Sequence, residues 1–143
     1  MQSLNKRLIL GNLPFLYMGF IWWQSSHFDP SSIDHYVDVI DSKILIFIGI
    51  LFELTHLIEF GILYLFILMA FYAFGILNQR GNIIAVIVAL LYGILDEIHQ
   101  LFVPYRSFSV IDLMKDFIGV FIVWYFIHKK RIQSYQKERP VPK

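Results

Sequence analysis

Apolar residues lie in long runs separated by short polar stretches, a pattern that predicts helices buried on all sides rather than amphipathic ones. The first run fills residues 8–24, follows Lys6 and Arg7, and is interrupted only by Asn12 and Pro14. It lacks a small-residue cleavage site and ends in Trp22-Trp23-Gln24-Ser25, an interfacial aromatic anchor, so it reads as a retained span rather than a removed signal. Residues 25–43 carry Asp29, Asp34, Asp38 and Asp41 with Pro30, paired serines and Lys43, and predict an acidic loop. From residue 44 to 77 the chain is almost wholly apolar. As one helix this stretch would run ~50 Å at ~1.5 Å per residue, against a hydrocarbon core of ~30 Å. Two full spans need more residues and a turn. The economical reading makes residues 33–51 an interfacial or re-entrant segment and places the second span at 53–77. Asn78-Gln79-Arg80-Gly81-Asn82 reads as a turn, residues 83–102 as a third span, residues 103–107 as a second turn, and residues 109–128 as a fourth span. The expected fold is therefore all-α, an integral membrane bundle of four transmembrane helices plus the interfacial or re-entrant helix. Residues 1–128 form the single membrane domain, and residues 129–143 a basic tail that frays into solvent.

Composition agrees with this reading. Of 143 residues, 57% are hydrophobic and 16% charged, and mean hydropathy is +0.61; soluble domains carry about 25% charged residues. A net charge of +1 argues against nucleic acid as a partner and leaves the lipid bilayer as the expected one. The absence of cysteine excludes disulfides, thiolate nucleophiles and thiolate metal sites. Lys6, Arg7, Arg80 and the cationic tail fall on one side of the four-span arrangement, and Lys43 and Arg106 on the other. The asymmetry predicts a multi-pass protein of the cell membrane with both termini cytoplasmic.

Ionisable groups inside spans are costly and point to function. Here they gather at one depth, in the extracytoplasmic half: Glu53, His56 and Glu59 on the second span; Asp96, Glu97, His99 and Gln100 at the end of the third; Asp112, Lys115 and Asp116 at the start of the fourth; and Arg106 in the turn above. Helical spacing gives each span a polar stripe, and the three stripes face one another to keep carboxylates out of lipid. Structural roles stand beside this reading. Ser109-x-x-Asp112 has the form of a capping box, Arg106 suits a snorkelling cation, His56 and His99 suit core histidines held by a carbonyl or an acid, and Glu97, ~100° around the helix from Asp96, suits the interface. Glu53-x-x-His56 and Asp96-x-x-His99 have the spacing helix bundles use for carboxylate-bridged metals, which leaves metal binding open. No zincin, nucleophile-elbow or P-loop motif is present, and nothing calls for an organic cofactor.

The stretch Asp96-Glu97-Ile98-His99-Gln100-Leu101-Phe102-Val103-Pro104-Tyr105-Arg106-Ser107, continuing through Val110-Ile111-Asp112 to Asp116-Phe117-Ile118-Gly119, resembles the VanZ-like family of small bacterial membrane proteins. Thr55-His56-Leu57-Ile58-Glu59-Phe60 is similar to that family's histidine-centred motif. The resemblance implies recurrent residues at His56, Glu59, Asp96, Glu97, Gln100, Pro104, Arg106, Asp112, Asp116 and Gly119. It also implies a multi-span membrane protein linked, through the family's founding member, to resistance to teicoplanin-type glycopeptides. The chain departs from many relatives at Phe60, Tyr105 and Asp116. Two functions follow as expectations: an outward polar pocket that binds an envelope ligand (a glycopeptide, a peptidoglycan precursor or a lipid headgroup), or an intramembrane acid/base or metal-assisted enzyme acting on a lipid-linked or cell-wall substrate. A third reading makes the polar groups interhelical glue. The small size also leaves room for an oligomer.

Overall fold

A computed structural model describes residues 4–27, 41–104 and 106–138, with the side chains of 42, 45, 46, 48, 49, 52, 53 and 131–138 left out of the description. The described residues form four helices: α1 (Leu4–His27), α2 (Ser42–Ala73), α3 (Gln79–Gln100) and α4 (Val110–Glu138). Among them there is no strand. α2 is the axis of the fold, packing against α1, α3 and α4, while α3 also touches α1 and α4.

Each boundary has a local cause. α1 passes through Pro14 without breaking; the proline removes one hydrogen bond to the preceding turn. At its end Ser26 Oγ donates to the Trp22 carbonyl at 2.7 Å, and His27 Nδ1 lies 2.8 Å from the Trp23 carbonyl, so both polar side chains fold back onto the helix's own backbone one turn earlier. Asp41 caps α2 by accepting the Lys43 N–H at 2.9 Å. α2 stops where Gly75 takes a left-handed conformation, φ +73°, so that the Ile76 N–H reaches back to the Phe71 carbonyl. Asn78 then caps α3, accepting the Gly81 N–H at 2.8 Å.

Three boundaries differ from the sequence reading. α2 does not break between residues 51 and 53: residues 42–51 are its first turns, because nothing from residue 44 onward supplies a cap or a proline to end a helix. The earlier part of the expected interfacial or re-entrant segment, residues 33–40, lies outside the described residues. The turn sits at 74–78, not 78–82; Gln79, Arg80, Gly81 and Asn82 are the first turn of α3, where polar residues are at home next to a cap. The basic stretch 129–138 continues α4 as helix instead of fraying, in keeping with the helix propensity of its Lys, Arg and Gln residues; residues 139–143 lie outside the description.

The apolar core is small: Ile21 of α1, Phe60, Leu63, Tyr64, Ile67 and Leu68 of α2, Ala85 and Ala89 of α3, and Val120 of α4. Outside it the usual partition is inverted. Phe15, Leu16 and Trp23 of α1, Ile58 and Tyr72 of α2, Leu91 and Leu95 of α3 and Phe126 of α4 are exposed, while Glu59, Asn82, Asp96, Glu97, Gln100 and Asp116 are buried. Two helical stretches among the described residues, Leu54–Ala73 and Gln79–Gln100, are long and apolar enough to cross a membrane.

Candidate functional site

Two glycines position the site. α2 and α4 cross where Gly61 faces Gly119: a Cβ on Gly61 would come within 3.1 Å of the Gly119 carbonyl oxygen, and a Cβ on Gly119 would overlap the Leu57 carbonyl. The two backbones are therefore nearly in contact. One turn away, this approach sets His56 of α2 against Asp116 of α4, with Nδ1 3.3 Å from Oδ1. Gly93 of α3 leaves room on the third side, since a Cβ there would already touch Asp116 Oδ2 at 3.5 Å.

The end of α3 adds two groups that point in different directions. Asp96 and Gln100, one turn apart, face α1 and α2; Gln100 Nε2 donates to Asp96 Oδ2 at 2.8 Å, and Gln100 Oε1 accepts from Arg106 Nη2 at 2.7 Å and from Nε at 3.3 Å. Glu97, one residue on, faces α4. Its Oε2 accepts the Ser109 N–H at 2.8 Å, while Ser109 Oγ accepts the Asp112 N–H at 3.2 Å and so caps α4. In a capping box the acid three residues into the helix would take that N-terminal N–H; here Glu97 takes it from another helix. Glu97 is 0% exposed, so it does not reach the interface as its spacing suggested. Rotation by ~100° from Asp96 turns it toward the positive end of α4 rather than toward water.

A cavity of about 250 Å³ opens beside these groups, lined by Ile21, Gln24, Ser25, Thr55, His56, Glu59, Asp96, Gln100 and Arg106. Of the residues singled out in the sequence, His56, Glu59, Asp96, Gln100 and Arg106 thus share one pocket. Glu97 and Asp116 stand behind it. Asp112 and Lys115 pair with each other at 2.7 Å, half-exposed on α4. His99 turns to α1, stacked on Trp22 with ring centroids 3.6 Å apart and with Nε2 2.8 Å from Ser26 Oγ. The Asp96-x-x-His99 spacing therefore does not bring those two side chains to one metal. Glu53 lies on α2 with its side chain outside the description. Sequence reading missed the contribution of α1: Gln24 and Ser25 were read as the end of an anchor, yet both line the pocket, and Ser25 is buried with its Oγ unpartnered. The polar pair closing an apolar run was the available signal. A second buried polar contact, Tyr64 Oη donating to Asn82 Oδ1 at 2.6 Å, ties α2 to α3 at the opposite end of the core.

Several buried polar atoms have no hydrogen-bond partner: Asp96 Oδ1, Glu97 Oε1, both carboxylate oxygens of Asp116, and His56 Nδ1, whose approach to Asp116 lacks hydrogen-bond geometry. Native interiors rarely leave such atoms unpaired.

An all-helical fold whose buried polar residues at one end are acids, an amide and a serine, with His56 half-buried beside them, belongs to the class of helical bundles that enclose a polar cluster. The chain belongs to the VanZ/LLP1 family, whose pattern it matches over residues 3–131. Searches of curated proteins and of solved structures find no match.

Proposed function

We propose that this chain is a four-span integral membrane protein of the cell membrane, both termini cytoplasmic, whose outward-opening pocket binds the polar group of an envelope ligand and so contributes to protection against teicoplanin-type glycopeptides. The observation that carries the reading is the pocket of about 250 Å³, lined by polar groups of α1, α2 and α3 with Arg106 beside them. Arg106 suits a carboxylate or phosphate, and Glu59 and Asp96 suit amines or sugar hydroxyls. Membrane insertion rests on family membership and on the inverted surface, with large apolar side chains exposed on all four helices. The cation asymmetry of the sequence gives the orientation.

The orientation is directly measurable because the chain has no cysteine. In intact cells, an impermeant maleimide should label Ser107→Cys, and should label Gln79→Cys and Lys130→Cys only after lysis. Labelling of Gln79→Cys from outside would overturn the cytoplasmic placement of the termini.

The pocket is tested in cells by Arg106→Ala and Asp96→Asn. Arg106 lies in a loop and Asp96→Asn is isosteric, so both variants should remain as abundant in the membrane as the unaltered protein while teicoplanin susceptibility rises to that of a deletion strain. If abundance and protection fall in parallel, these residues hold the helices together and the ligand reading fails. An enzymatic reading is favoured by the close approach of His56 and Asp116 beside the cavity. Turnover of a lipid-linked precursor by the purified protein would replace binding with catalysis.

A further inference from the structure

We propose that His56, Glu97 and Asp116 form a binding site for one divalent transition-metal cation, of the class taken by mixed nitrogen and oxygen ligands such as Zn²⁺ or Mn²⁺. One ligand atom from each residue lies within 4.8 Å of the other two, and the residues come from three different helices, α2, α3 and α4. Ligands at tetrahedral angles on bonds of ~2.0–2.2 Å stand ~3.3–3.5 Å apart. His56 Nδ1 and Asp116 Oδ1 already have that separation, at 3.3 Å. Glu97 offers the third ligand atom from within 4.8 Å of the other two.

The second observation is that the atoms offered are the ones left unsatisfied. Glu97 is 0% and Asp116 1% exposed, yet Glu97 Oε1 and both oxygens of Asp116 lack a hydrogen-bond partner, as does His56 Nδ1. Buried carboxylate oxygens without hydrogen-bond donors are costly, and more so where two carboxylates lie beside each other with only His56 close to one of them. A bound dication would satisfy all three residues at once. The surroundings fit a built site. The Ser109 N–H holds Glu97 Oε2 at 2.8 Å, fixing the carboxylate and leaving Oε1 as its oxygen without a partner, as outer-shell donors orient ligating carboxylates. The nearby cation Lys115 is engaged by Asp112 at 2.7 Å, and Arg106 by Gln100. Histidine with two carboxylates suits Zn²⁺ and Mn²⁺. The site stands independently of what the pocket binds; since His56 also lines the pocket, a bound ion would lie at its inner wall.

The test uses the full chain purified in detergent, stripped with chelator, and reloaded with Zn²⁺ or Mn²⁺ alone. The expected result is about one ion per chain by elemental analysis, with affinity falling by about tenfold or more in Asp116→Asn and in Glu97→Gln. Removing the exposed surface histidines with His27→Ala and His128→Ala should leave binding unchanged. No uptake by a chain that keeps its helical circular dichroism overturns the site, as does uptake that persists in both acid variants and vanishes with the surface histidines. Should the acid variants fail to fold, Mn²⁺ bound to the unaltered chain decides. A coordinated imidazole nitrogen in its electron spin echo, lost in His56→Ala, supports the site, and no such nitrogen overturns it. Because the readout is metal content, failure of the site leaves the pocket's ligand to be judged by the cell assay alone.

Discussion

Gly119→Val should remove the folded protein, and Gly119→Ala should lower its stability by about 1–3 kcal/mol, the usual cost of forcing extra carbon into a packed interior. The obstacle is backbone. A Cβ at Gly119 would overlap the Leu57 carbonyl oxygen and come within 2.8 Å of the carbonyl carbon, and neither atom can swing aside as a side-chain tip would. α2 and α4 must therefore separate. That motion also pulls His56 away from Asp116, one turn off, so the defect reaches the polar cluster as well as the core. Gly61→Ala should behave more mildly, since its nearest neighbours, Val123 Cγ2 and the Gly119 carbonyl oxygen, stand at 3.0 and 3.1 Å and need yield only slightly. Gly19→Ala is the control. Nothing lies within 4 Å of a Cβ there, and alanine favours helix over glycine by roughly 1 kcal/mol. Thermal melts in detergent, with membrane abundance in cells, would rank the variants Gly19→Ala at or above the unaltered chain, then Gly61→Ala, Gly119→Ala and Gly119→Val. A Gly119→Ala chain that melts with the unaltered protein would show that the helices do not cross this closely.

The all-helical fold was legible because apolar runs and caps are local signals, and the residues that failed show where locality ends. Asn78 through Asn82 carry every mark of a turn, yet Asn78 caps and the next four residues are helix, since the first helical turn and a loop favour the same polar residues. The true end of α2 is signalled by one residue, Gly75, through its positive φ. The join at 51–53 could not be read at all: an unbroken apolar stretch is the same whether the chain bends there or continues, and only its packing decides.

The site was legible by depth but not by partner. Gathering of acids near one end of three helices followed from counting residues along each span, and His56, Glu59, Asp96, Gln100 and Arg106 do share a pocket. Helical spacing states which residues face apart, not which neighbour each face meets. Asp96 and His99 are three residues apart, yet one turns to Gln100 and the other to Trp22 and Ser26 of α1, across 73 positions of sequence. Of the glycine crossing that sets His56 against Asp116, only Gly119 was marked in the sequence, through the family resemblance; Gly61 is one glycine in an apolar run.

Glu97→Ala should loosen the start of α4. Glu97 is the residue through which α3 holds that end: its Oε2 accepts the N–H of Ser109, the residue that caps the helix. Truncation leaves that N–H without its acceptor, at about 1 kcal/mol for a lost charged partner at a part-buried donor. It also frees Ser109 from the position in which its Oγ caps Asp112, a contact worth about 1 kcal/mol. Hydrogen exchange would show the loss locally, as faster exchange at the amides of residues 109–113 than at the core of α2, with a lowered melting temperature. Glu97→Gln keeps an oxygen where Ser109 needs it, so the first turn of α4 should stay protected. Its charge and its second oxygen are a separate matter, because Oε1 has no partner and the carboxylate offers an atom within 4.8 Å of His56 and Asp116. The two substitutions thus divide the carboxylate into its halves. A glutamine variant that keeps the helix start but loses the metal ion would show that one oxygen anchors α4 and the other serves the cluster. Unchanged exchange at residues 109–113 in Glu97→Ala would instead mean that Ser109 is held by the helix itself.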